Sequence, residues 1–430
     1  MIINLDNIIL RLFLFVLFSF FLYLFNSSNY ILLFSLGVVY SYFEFSKIKK
    51  VGISLDFFFY TLISFYFIIG SANISGYRGE VTEWMYFHIT SFMLLMFISY
   101  KLGSGLSTSM NLDWIKRKVE ANGIINFKLI ILSSIPGFIG LLIMLPTGIP
   151  LIQSDKFTLV SPKAYFFLEM FFVTFIFCLN NYLALKNQNA KLSRFYLNLT
   201  ILCFILLSLP GYRGWILICC FLIFYATYEK PGRITVTKIF IIASLGALVL
   251  GGLAVYRRIV NPDLTLASDA LINYEAEHLG EIFAFIHFSL RESITISQTL
   301  IENGIPPSYP LFLSDFLTIL PNYDMAGGKV IAHLFSEYSG VGLTPGALGA
   351  LIIEFGYFPA ILVVFLSSFT VGFIGRLSKG YNNYSFKLFS LLLLIYYIHY
   401  LHRGIPKPAY LFVPLLFMFF FTLNIIRGKK

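Results

Sequence analysis

Apolar stretches of 14 to 28 residues recur along most of the chain, parted by short breaks rich in glycine, proline, asparagine and charge. In hydrocarbon every backbone N–H and C=O must be satisfied within its own segment, so stretches of this kind can only be helices or strands of a closed barrel. Their length, with no alternation of polar and apolar positions, selects helices. Twelve are expected, near 8–25, 30–45, 55–70, 84–100, 127–144, 164–185, 196–209, 215–228, 239–255, 348–375, 384–401 and 409–426. A composition that is 58% hydrophobic and 12% charged excludes a soluble domain. The expected fold class is therefore an all-α polytopic membrane protein. The four cysteines all fall inside apolar stretches, which argues against disulfides and metal ligation. No metal and no cofactor is expected. Asp6 and Arg11 precede no small-residue cleavage site, so the first stretch reads as a retained helix.

Charge sets the orientation. Most of the 31 Lys and Arg residues fall on alternate connections, among them Lys47, Lys116, Lys186, Arg233, Arg376 and Arg427. By the positive-inside rule these are cytoplasmic, which puts both termini inside. The net charge of +10 thus reports topology and lipid headgroups rather than nucleic acid. The chain divides into spans one to nine (1–255), an outer segment (256–347) and spans ten to twelve (348–430).

That outer segment, about 90 residues long, is unlike the other connections. Structureless loops of such length are uncommon and usually functional. Leu271–Glu302 reads as one or two amphipathic helices, with a break at Gly280 and a stop at Gly304 and Pro306-Pro307. His287, Arg291, Thr295 and Gln298 follow helical spacing and form one polar stripe. Leu311–Leu320 is apolar but too short to span, and suits a helix at the outer interface.

Arg213 lies in Pro210-Gly211-Tyr212-Arg213-Gly214, the only break between two apolar runs of about 14 residues. Each run is roughly 21 Å long as a helix, against about 30 Å of hydrocarbon, so the turn is recessed and its guanidinium should face an aqueous cavity or an anion. Arg257 and Arg258 close the ninth span, Arg291 lies in the outer helix, and Arg403 follows the eleventh span, one turn after His399. Arginine binds phosphate oxygens bidentately and keeps its charge, so arginines converging at the outer edge suit a lipid-linked phosphate or pyrophosphate. Snorkelling, headgroup contact and helix capping are the alternatives for any single one. Acid–base candidates on the same side include His287, Glu292 and His333, and Arg78 is a further outer cation. Phosphate-binding glycine loops, HExxH, CxxC and GxSxG are all absent from the sequence.

The quoted turn, the large outer segment and Gly342-Leu343-Thr344-Pro345-Gly346-Ala347-Leu348-Gly349, running on to Phe355-Gly356, resemble the O-antigen polymerases, or oligosaccharide repeat-unit polymerases. Arg291-Glu292-Ser293 is also similar to a stretch in the loop of some members. The likeness covers mainly residues 196–375 and is more distant to the O-antigen ligases, whose histidine-asparagine motif is absent, since Leu334 follows His333.

The resemblance implies a membrane glycosyltransferase of GT-C-like architecture in the bacterial cytoplasmic (inner) membrane. It implies metal-independent transfer of a glycan from undecaprenyl pyrophosphate to a second lipid-linked repeat, making O-antigen or capsule-type polysaccharide. Arg213, Arg291, Arg403, His287 and Glu292 would then act in catalysis. Arg257, Arg258, Tyr212, His399, His333 and Arg78 would bind pyrophosphate or glycan. Implied partners are membrane lipids, a chain-length-regulating co-polymerase and a flippase. The competing expectations are a ligase-like transferase and a lipid-linked oligosaccharide flippase or transporter. The last would more naturally show two similar halves with short loops on both sides.

Overall fold

A computed structural model describes residues 28–74, 79–109, 123–153, 162–228, 232, 234–260, 280–304, 311, 331, 344–379, 384–404 and 413–427. Among them all regular structure is helical, and besides two short turns at Leu145–Thr147 and Pro150–Gln153 it comprises α1 Ser28–Val51, α2 Leu55–Ser71, α3 Glu83–Ser109, α4 Phe127–Met144, α5 Pro162–Glu169, α6 Phe171–Leu185, α7 Ala190–Ser208, α8 Arg213–Tyr228, α9 Val236–Val260, α10 Glu281–Asn303, α11 Gly346–Phe355, α12 Tyr357–Lys379, α13 Tyr384–Arg403 and α14 Val413–Arg427. Among the described residues seven segments are long and apolar enough to cross a membrane, α5 and α6 together making one of them. The chain has the build of a polytopic membrane protein. The expected first span and the interfacial helix at 311–320 fall outside the described residues, apart from Leu311.

Helix ends follow local chemistry. Ser54 caps α2 by accepting from the Phe57 N–H at 3.2 Å, and Asn189 caps α7 by accepting from the Leu192 N–H at 3.1 Å. One expectation needs correction. The single span at 348–375 is two helices, α11 and α12, because Gly356 takes φ +83° between them. Both flanks are apolar, so hydropathy alone cannot show the break.

The tightest packing joins chain-distant helices. A Cβ on Gly103 would lie 2.1 Å from the Phe369 carbonyl oxygen, and one on Gly372 2.2 Å from that of Tyr100. The backbones of α3 and α12 therefore touch, as small residues permit between membrane helices. The His88 ring sits 5.6 Å from that of Tyr357 near the start of both helices, so the pair runs parallel. From α2, Phe59 stacks on Tyr100 at 3.9 Å.

Contacts between helix ends sort into two faces. On one, Lys379 Nζ pairs with Asp56 at 2.5 Å, Tyr100 donates to the same carboxylate at 2.6 Å, and the Ile53 N–H donates to the Tyr228 carbonyl at 3.0 Å. Asn181 brackets the Ile125 backbone there, donating to its carbonyl and accepting from its N–H, each at 2.8 Å. On the other, Tyr30 donates to the Ile68 carbonyl at 3.2 Å, Asn29 donates to Glu83 at 2.7 Å, and α10 lies across the ends of α2 and α13 and the start of α11.

Candidate functional site

The candidate site is built on α10. The helix starts after Gly280 at φ +73° and stops at Gly304 in the left-handed conformation, the boundaries expected from sequence. The part of the expected helix before Gly280 lies outside the described residues. One face carries the expected polar stripe, and its targets are protein. The Arg291 guanidinium, 0% exposed, donates to the Ala72 carbonyl (2.8 Å), Asn73 Oδ1 (3.1 Å) and the Gly79 carbonyl (2.5 Å). His287 Nε2 lies 3.0 Å from the same Ala72 oxygen. Gln298 accepts from the Thr82 N–H at 3.1 Å and donates to the Glu80 carbonyl at 3.2 Å. The stripe thus satisfies the backbone linking α2 to α3, including the electron-rich C-terminal end of α2. A buried guanidinium with carbonyl partners positions the loop.

A second face of α10 meets α11 and α13. Tyr66 and Ser293 hydroxyls hydrogen-bond at 2.8 Å. One turn on, Ser297 Oγ donates to the Pro345 carbonyl and accepts from the Gly349 N–H at 3.1 Å. That serine supplies an acceptor to Gly349 alone in the first α11 turn, whose preceding residue, Pro345, provides no side-chain cap. A Cβ on Gly349 would lie 2.7 Å from Ser297 Cα, so α11 rests directly on α10. The end of α13 then closes on the start of α11. Gly404, at φ +73°, lies so near Gly346 that a Cβ would sit 2.2 Å from the Gly346 carbonyl oxygen.

Three polar side chains sit at this junction without partners among the described residues. Thr344 is 7% exposed and its Oγ1 is buried with no hydrogen bond. His402 Nδ1 is buried without a partner, while the ring's other nitrogen is neither buried nor paired. Arg403 is half-buried and makes no ion pair or hydrogen bond. Nor do the N–H groups of Gly346, Ala347 and Leu348, the buried first turn of α11, have a partner. Tyr66, Ser297, Ala347 and Leu401 line an adjoining cavity with room for about one water molecule. Unpartnered donors, a free guanidinium and a helix N-terminus together favour a bound anion.

The other sequence candidates are placed as follows. Arg213 is the first residue of α8, and Arg257 and Arg258 lie in the last turn of α9. Arg78 and His333 lie outside the described residues. Tyr212 belongs to an aromatic cluster, 4.3 Å from Tyr165 and 5.1 Å from Trp215 between ring centres. His399 and Glu292 are half-buried on α13 and α10. Sequence reasoning missed His402, Thr344, Tyr66 and Ser297. A signal existed for two of them: His402-Arg403-Gly404 and Thr344-Pro345-Gly346 each set polar residues beside a glycine at a helix end.

No protein-family model, curated protein or solved structure matches this chain. The class defined by the fold is a polytopic helical membrane protein, and its candidate site is the junction of α10, α11 and α13.

Proposed function

We propose that this protein polymerises undecaprenyl-pyrophosphate-linked oligosaccharide repeats on the outer face of the bacterial cytoplasmic membrane, into O-antigen or capsule-type polysaccharide. In this reading twelve helices span the membrane, both termini are cytoplasmic, and the junction of α10, α11 and α13 faces out. A hydroxyl of the incoming repeat attacks the anomeric carbon of the growing glycan. The carbon–oxygen bond to pyrophosphate breaks, its electron pair leaves with undecaprenyl pyrophosphate, and the hydroxyl proton passes to solvent or the leaving group. Charge grows on that leaving oxygen, and fixed donors aimed at it lower the barrier.

The observation that carries this reading is Arg403, a half-buried guanidinium without an acidic partner among the described residues, beside the first turn of α11. Keeping such a charge unpaired near the membrane is costly unless an anion joins it. Arg213 and the α9 arginines remain candidates for the rest of the pyrophosphate. Purified protein in vesicles, given lipid-linked repeats without metal or nucleotide, should make a ladder of longer glycans. Repeats that cross the bilayer without lengthening would replace the polymerase with a transporter.

A further inference from the structure

We infer that His402 is a catalytic hydrogen-bond donor to a phosphate oxygen, sharing one anion site with Arg403 and the first turn of α11; this rests on the polymerase reading. The imidazole is asymmetric in its surroundings. Among the described residues Nδ1 is buried without a partner, while the other nitrogen, Nε2, is not fully buried and has no hydrogen bond. A neutral imidazole holds one N–H and one lone pair. Burying an unpaired N–H is the worse alternative, since orphaned buried donors are rarer than under-satisfied acceptors. The lone pair therefore sits on Nδ1 and the proton on Nε2, the less buried nitrogen. In that tautomer Nε2 has no lone pair with which to take a proton, so His402 acts as a donor and not as a general base.

The neighbouring groups share that polarity. Arg403 adds a permanent cation, and Thr344, 7% exposed, adds an unpaired buried hydroxyl two residues before α11. Among the described residues the N–H groups of Gly346, Ala347 and Leu348 lack partners because Pro345 provides no cap and Ser297 reaches only Gly349. Gly404 allows the approach, since any side chain there would meet the Gly346 backbone. The ligand chemistry that fits is a phosphate ester, carried either by the lipid-linked substrate or by an anionic phospholipid. As the glycan transfers, the bond from the anomeric carbon to the phosphate oxygen breaks and the charge forming on that oxygen is met by the His402 N–H and Arg403. No proton leaves His402 in this step.

The test compares His402→Gln, which keeps a side-chain N–H donor, with His402→Leu, which does not. Full-length purified protein is assayed in phosphatidylcholine vesicles, with and without phosphatidylglycerol. Two readouts are taken: ladder formation, and the rise in thermal stability on adding undecaprenyl pyrophosphate. The expected result is a loss of about 100-fold in ladder rate for His402→Leu, within the range for removing one such donor. His402→Gln should stay within about tenfold of wild type, with an unchanged pH profile. Undecaprenyl pyrophosphate should stabilise wild type and the Gln variant but not the Leu variant. A Gln variant as inactive as Leu, or one that has lost a limb of the pH profile, would identify a base and overturn the donor role. A Leu variant equal to wild type in both readouts would also overturn it, while the polymerase reading stood. A Leu defect confined to the response to phosphatidylglycerol would assign the site to a headgroup and overturn the catalytic role. If wild type makes no ladder yet undecaprenyl pyrophosphate stabilises it through His402, the polymerase reading fails and the phosphate site survives.

Discussion

Arg291 and Arg403 are both arginines at the same face of the bundle, yet their surroundings are opposite. Arg291 is sealed inside, with three acceptors from the connection between α2 and α3. Arg403 is half-buried and answered by no described residue. A sealed charge with acceptors in place is a device of the fold, because removing it takes a donor from the buried Ala72 carbonyl and unties Asn73 and Gly79 from α10. An unanswered charge beside a helix start with unpartnered N–H groups is available to a ligand. Partner count, and not residue type, separates the two roles.

The largest effect should follow Arg291→Ala. Each bond from a charged donor contributes about 1.5–3 kcal/mol, and three are lost, one of them to the buried Ala72 carbonyl. Most of the protein should fail to reach a monodisperse folded state in detergent, which size-exclusion chromatography reads directly. Full folding of Arg291→Ala would erase the distinction between the two arginines. Next comes Gly404→Val, where the added carbon meets the Gly346 backbone at φ +73°. A loss of about 2–3 kcal/mol is expected from overpacking and backbone strain, visible as a lower melting temperature together with lost activity. Tyr66→Phe removes the hydroxyl bond to Ser293 and should cost about 1 kcal/mol, with activity falling less than stability. Arg403→Ala is the smallest in stability terms, within about 0.5 kcal/mol of wild type, since no partner is stranded.

Several features of this contrast were legible in the sequence. Gly280 and Gly304 bound α10 because left-handed or otherwise strained positions favour glycine, and helical spacing exposed the stripe through His287, Arg291 and Gln298. What the stripe faces was not legible. Its partners lie more than 200 residues earlier, in a loop whose carbonyls leave no mark on side-chain pattern. The parallel contact of α3 with α12 was equally hidden, since Gly103 and Gly372 look like any glycine in an apolar stretch. His402 was passed over because only the packed structure shows which of its ring nitrogens is buried.

The central claim, that the junction of α10, α11 and α13 holds the leaving pyrophosphate, is tested most directly by the ladder assay on Arg403→Ala. Protein of wild-type melting temperature should form longer glycans at least about 100-fold more slowly, with Arg403→Lys recovering only part of the rate. A ladder made at the wild-type rate by folded Arg403→Ala would contradict the claim and move the site away from this junction.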